Sequence, residues 1–94
     1  VSAWAHSTGV FRATLDAPAA LRALGVPDGV DVVHHFEPHG LSWVRIAPHR
    51  RAALHSWPEH GVVTVDVYAP EGVDLAAALS ELGWVSAAGG TRAL

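Results

Sequence analysis

Ala53-Leu54-His55-Ser56-Trp57-Pro58-Glu59-His60-Gly61-Val62-Val63-Thr64-Val65-Asp66-Val67-Tyr68 joins a polar, aromatic turn to an apolar strand. His55, Trp57 and Glu59 occupy alternate positions, so an extended chain turns them the same way. A base, an aromatic plate and a carboxylate then share one side. Pro58 has no N–H to give to a ladder, which ends the first strand near it. Gly61 permits a tight turn, and Val62 to Tyr68 alternates as a half-buried strand does. Ala52–Trp57 and Val62–Tyr68 are therefore expected to form an antiparallel pair.

Working outward, Trp4–Thr14 reads as a first strand with Val10 and Phe11 as core candidates. Asp16 caps a helix over Ala19–Leu24 that ends at Gly25, with Pro18 in its first turn. Pro27-Asp28-Gly29 is a turn. Val30–Phe36 is a β-branched strand, Glu37–Gly40 turns the chain, and Leu41–Ala47 is the next strand. Its alternation puts Leu41, Trp43 and Arg45 on one side and Ser42, Val44 and Ile46 on the other. Pro48–Arg51 reads as a loop. Asp74 caps a helix over Leu75–Leu82 with Gly83 after it. Trp84–Ala87 is a short edge strand, and Gly89-Gly90 begins a mobile tail. Runs of strands with two interspersed helices define an α+β class. We expect a two-layer α/β sandwich: an antiparallel sheet with both helices on one face, as one domain over residues 1–94.

The chain has 94 residues, half of them hydrophobic, a small core for one domain, so burial by homodimerisation is expected. Net charge is −3 and all six basic residues are Arg. That balance gives no footprint for nucleic acid or an anionic membrane. No apolar run reaches the roughly 20 residues of a bilayer span, and no signal-peptide pattern is present. These features, with Ala, Arg, Val and Gly bias, suggest a cytoplasmic bacterial protein. The absence of Cys removes thiolate chemistry and zinc–thiolate sites. The absence of Lys removes a lysine Schiff base. The α-amino group of Val1 is then the only candidate amine, if the native chain starts there.

His34-His35-Phe36-Glu37-Pro38-His39-Gly40-Leu41-Ser42 stands upstream of His55-Ser56-Trp57-Pro58-Glu59. The first segment is similar to a His-x-Phe-x-Pro-x-Gly-x-Ser pattern. The second resembles His-Thr-Trp-Pro-Glu followed by a Val-Asp-Val strand. Both are signatures of the prokaryotic S-adenosylmethionine decarboxylases, small pyruvoyl-dependent enzymes of polyamine synthesis. The resemblance covers roughly residues 30 to 72 and implies a compact βαβββαβ-like protomer that forms homodimers. It also implies roles. Phe36 matches the aromatic that stacks on adenine, Glu59 the carboxylate that holds the ribose hydroxyls, and Trp57 the pocket Trp. Ser42 and His55 match the Ser and His that assist self-processing.

Two further matches fail. The family's pyruvoyl-forming Ser falls at Arg50, preceded by His49 where Glu is usual, and its catalytic Cys falls at Pro70. The resemblance therefore implies the fold without the carbonyl electron sink, and no cofactor is expected.

Several readings stay open on these residues. Imidazole suits proton transfer near neutral pH, worth about 10²–10⁴ in rate, so His55 is the candidate acid/base, with Glu59 and Ser42 beside it. Each also reads as a structural or solvated residue. Phe36 and Trp57 sandwich a ligand or fill core. Arg50 and Arg51 hold a substrate carboxylate or solvate a loop, and Arg50, at the pyruvoyl position, is expected to face the pocket. His34, His35, Glu37 and His39 raise a metal reading, but their spacing matches no standard signature, so none is assigned. Asp66 reads as solvated.

The function expected is a cofactor-independent enzyme of bacterial specialised metabolism. Its substrate would be an amine, amino acid or adenosyl compound, undergoing for example condensation or cyclisation of Pictet–Spengler type. The alternatives are a non-catalytic S-adenosylmethionine or nucleoside sensor or partner subunit, and a true decarboxylase that processes at another Ser.

Overall fold

A computed structural model describes residues 4–94; Val1, and the amine reading placed on it, lie outside them. The elements run β1 (Ala5–Arg12), α1 (Ala17–Ala23), β2 (Val30–His35), β3 (Leu41–Ile46), β4 (Arg51–Trp57), a short 3-10 helix (Pro58–His60), β5 (Val62–Ala69), α2 (Leu75–Ser80) and β6 (Val85–Ala93). Four strands separate the two helices, one more than the βαβββαβ-like outline. All six strands form one antiparallel sheet in the order β2-β3-β4-β5-β1-β6. The four consecutive strands form a meander, and β1 pairs both β5 and β6 through long-range closures, the longest being those with β6.

Strand alternation sorts the sheet into two faces. Ala5, Ser7 and Phe11 of β1, Ala52 and Leu54 of β4, and Val63, Val65, Val67 and Ala69 of β5 are buried. They pack in one core with Leu21 and Leu24 of the first helix and Leu75 and Leu79 of the second. Both helices thus cover the same face, as expected. Asp16 accepts from the Ala19 N–H and Asp74 from the Ala77 N–H, each satisfying a first-turn donor. Gly25, Gly61 and Gly83 end their helices in the left-handed region. Val10 is corrected: it is half-buried on the open face, one step out of phase with Phe11.

The tail reading is also corrected. Gly89 and Gly90 lie inside β6, opposite Gly9 and Thr8 of β1. A Cβ on Gly89 would stand 2.5 Å from the Thr8 carbonyl oxygen, so glycine here allows close approach of two strands rather than mobility. Ser7, 1 % exposed, bonds the Thr91 hydroxyl at 2.9 Å and accepts from the Val73 N–H at 3.1 Å. It ties β6 and the approach to α2 onto β1.

On β2 and β3, Arg45 Nε and Nη2 donate to the Asp31 carboxylate at 2.6 and 2.9 Å. That hydrogen-bonded guanidinium holds the Asp31 carboxyl below its ordinary 3.8, against the opposing effect of burial. A depressed carboxyl contributes stability above its unfolded pKa and loses it as pH falls through the folded one. Asp31→Asn is expected to lower stability near neutral pH by about 1 kcal/mol or less. The difference from the parent should shrink as pH falls below the ordinary carboxylate value and vanish only below the depressed folded one, where both carry a neutral side chain. Urea denaturation at several pH values measures it.

Candidate functional site

The face away from the helices is open. Cross-strand register places His34 of β2, Ser42 of β3, His55 of β4 and Thr64 of β5 in one row on it. Alternation carries Phe36 and Trp57 onto the same face one step further along. Phe36 meets His34 edge-on with ring centroids 4.5 Å apart. Both aromatics are about half exposed, Phe36 at 50% and Trp57 at 48%, so neither is core. The Ser42 hydroxyl and His55 Nδ1 are 2.6 Å apart. If the hydroxyl donates, Nε2 carries the ring proton; if Nδ1–H donates, Nε2 is a free base. Either way one ring nitrogen is fixed and the other is left for a ligand.

Glu59 departs from the expected alternation. The strand ends at Trp57, and Pro58 opens the 3-10 helix, so Glu59 is exposed on the turn at the same end of the sheet. Phe36, Ser42, His55, Trp57 and Glu59 thus gather at one end, an open shelf. Of the cavities of about 520, 240 and 210 Å³ none is lined by Phe36, Ser42, His55 or Trp57; the smallest lies at this end of the sheet but is lined by Leu41, Ser56, Pro58 and Val62.

Arg50 and Arg51 stand at the opposite end of β4, roughly 20 Å from Trp57 at strand rise. The expectation that Arg50 faces the pocket is corrected. Its Nη1 donates to the Leu24 carbonyl at 2.6 Å, at the C-terminal end of α1 on the helix side of the sheet. A cation there complements the helix dipole. Arg51, one residue on, alternates onto the open face. Arg50→Ala is expected to cost about 1–2 kcal/mol of stability and to leave ligand binding at the shelf unchanged. A thermal melt and a binding titration on the same variant separate the two effects.

His34 and His35 alternate to opposite faces. Among the described residues no three His, Asp or Glu side chains gather as a metal site needs. Sequence reading missed another cluster. His6 Nε2 lies 2.8 Å from Asp66 Oδ1, and the His6 and Tyr68 rings stack 4.1 Å apart. Asp66 is therefore partnered rather than merely solvated. The signal was the alternation Thr64, Asp66, Tyr68, but pairing the fifth strand with the first was needed to see His6.

The sheet with both helices on one face is that of an adenosylmethionine decarboxylase. The crystal structure of the adenosylmethionine decarboxylase from Aquifex aeolicus VF5 superposes with a TM-score of 0.66 at 20% identity, over 99% of this chain and 89% of that one. A family model described as S-adenosylmethionine decarboxylase matches residues 12–83, and the chain belongs to that family. The S-adenosylmethionine decarboxylase proenzyme of Aquifex aeolicus is 46% identical over 35 residues, 37% of this chain and 26% of that protein. The proenzyme of Bacillus cytotoxicus is 41% identical over 58 residues, 62% of this chain and 44% of that protein. The matched stretches span less than half the length of these relatives.

The pyruvoyl group that the family implies does not fit the residues present. Position 50 carries a guanidinium bound to the α1 carbonyl end, not a hydroxyl, and Pro70 offers no thiol.

Proposed function

We propose that the chain is a pyruvoyl-independent member of its family. It binds an amine- or carboxylate-bearing small molecule on the open shelf and moves a proton on it through the Ser42–His55 pair. An adenosyl compound is the first ligand to test. The observation that carries this reading is the 2.6 Å Ser42–His55 contact on a face where Phe36 and Trp57 are half exposed. Two exposed aromatics give a flat ring surfaces to lie against, and Glu59 at the shelf's edge supplies an acceptor for hydroxyl or ammonium groups. The chemistry that such a pair supplies is general acid/base catalysis by a positioned imidazole. It suits condensation or ring closure between an amine and a carbonyl, a lyase or cyclase reaction without a carbonyl cofactor.

A second copy packed on the open face is part of this reading. Val30, Val32 and Ile46 are 66%, 60% and 50% exposed on the same open face. A homodimer formed through that face buries them. Sedimentation at several concentrations reads the oligomeric state.

The placement of Arg50 favours a second reading, an adenosyl-binding sensor or a partner subunit. The residue expected to hold a new substrate's carboxylate is committed to α1.

Calorimetric titration with S-adenosylmethionine and its amine analogues tests the site. Binding weakened about tenfold or more by Phe36→Ala and by Glu59→Ala supports an adenosyl shelf. His55→Ala then separates the readings: binding kept with turnover lost supports the enzyme, while binding kept with no turnover in the parent supports the sensor. Binding that survives both Phe36→Ala and Glu59→Ala contradicts the shelf.

A further inference from the structure

Cross-strand register fixes which charges share the open face. β1 places His6 and Arg12 on it, β2 His34, β4 Arg51 and His55, β5 Asp66 and Tyr68, and β6 Arg92. β3 adds no charged group there, only Ser42, Val44 and Ile46, because Arg45 pairs with Asp31 on the other face. Among the described residues, the strands thus bring Arg and His to this face with a single carboxylate, in a chain whose net charge is −3.

That carboxylate is engaged. Asp66 Oδ1 lies 2.8 Å from His6 Nε2, so a charged His6 has its counter-ion in place. His34 and His55 do not. His34 is opposite Ser42, follows Val32 on the same side of β2 and meets the Phe36 ring edge-on. His55 lies between Ser42 and Thr64 and bonds the Ser42 hydroxyl at 2.6 Å. Asp66 is only diagonal to it and already bound. Glu37 and His39 sit in the turn after β2, and Glu59 and His60 on the 3-10 helix, all exposed beyond the strand ends.

Imidazole takes up its proton, and a positive charge, across about pH 8 to 5. In the free chain water solvates that charge. At an interface that buries Val30, Val32 and Ile46 beside it, the charge loses water and gains no carboxylate, which is unfavourable. A two-fold partner presents the same excess of cations, so each added proton also meets like charge.

We infer that the homodimer is acid-sensitive: protonation of His34 and His55 separates the two open faces and uncovers the shelf. The inference rests on the homodimer of the proposed function, and not on any ligand at the shelf. Association is present above the imidazole range and is lost as pH falls through it. Ordinary carboxylates titrate below that window, and the Arg45 guanidinium holds Asp31 lower still, so the Asp31–Arg45 pair persists across it.

Sedimentation equilibrium of the full chain between about pH 8 and 5.5, with circular dichroism at each pH, is the test. The dimer dissociation constant should rise about tenfold or more over that range. His34→Gln should shrink the rise, His34→Gln with His55→Gln should abolish it, and the rise should persist in His6→Gln. His34 is exposed on an edge strand, so its variant should fold as the parent does. A dimer whose dissociation constant is the same throughout overturns the switch and leaves the homodimer standing. A rise that persists undiminished in the His34 variant and in the double variant also overturns the switch. A monomer at every pH and concentration overturns the homodimer and the switch together.

Discussion

Phe11→Ala is expected to destabilise the chain by about 3–5 kcal/mol, the range for emptying a buried aromatic site. Phe11 is 1 % exposed, packs its ring 6.0 Å from that of Trp84, and belongs to the single core that joins both helices to the sheet. Domains of this kind have a total stability of about 5–15 kcal/mol. The variant should therefore melt far below the parent or populate the unfolded state at 37 °C. Phe11→Leu, which keeps most of the volume, should recover much of the loss. Chemical denaturation of the two variants measures both.

Gly89→Ala is expected to cost about 2–3 kcal/mol, the upper range for overpacking, although it adds a single methyl group to an exposed strand. The new Cβ would stand 2.5 Å from the Thr8 carbonyl oxygen and 3.1 Å from Gly9 Cα. The obstacle is backbone, so β6 must move away from β1 to admit it. Gly90→Ala is the control, because a Cβ there has nothing within 4 Å. It should change stability by no more than about 0.5 kcal/mol. Hydrogen exchange should show faster opening of β6 in the first variant and not in the second.

These two residues also show where sequence reading succeeded and where it stopped. Phe11 was legible because strand alternation and an apolar aromatic agree locally, whereas Val10, its neighbour, cannot be separated from it without knowing which phase faces the helices. The caps Asp16 and Asp74 and the stops Gly25 and Gly83 were legible because they act within one turn. Gly89-Gly90 carries a local turn signal, and its true role depends on Gly9, eighty residues away along the chain. The same limit governs the site. Ser42, His55, Phe36 and Trp57 share a face because short meander connections fix their register. Glu59 left the pattern when Pro58 began a 3-10 turn. Arg50 left it because one residue of alternation turned it toward α1, and Arg51 toward the open face. His6 and Arg92 were invisible, since only the long-range pairing of β1 with β5 and β6 brings them to Asp66 and Tyr68.

The proposed function requires that this family member works without a carbonyl group of its own. Intact-mass spectrometry of the purified chain, before and after incubation with a hydrazine carbonyl reagent, tests that claim most directly. One species is expected, with the bond between His49 and Arg50 unbroken and no hydrazine adduct. Two fragments, with an adduct on the N-terminus of the second, would contradict it.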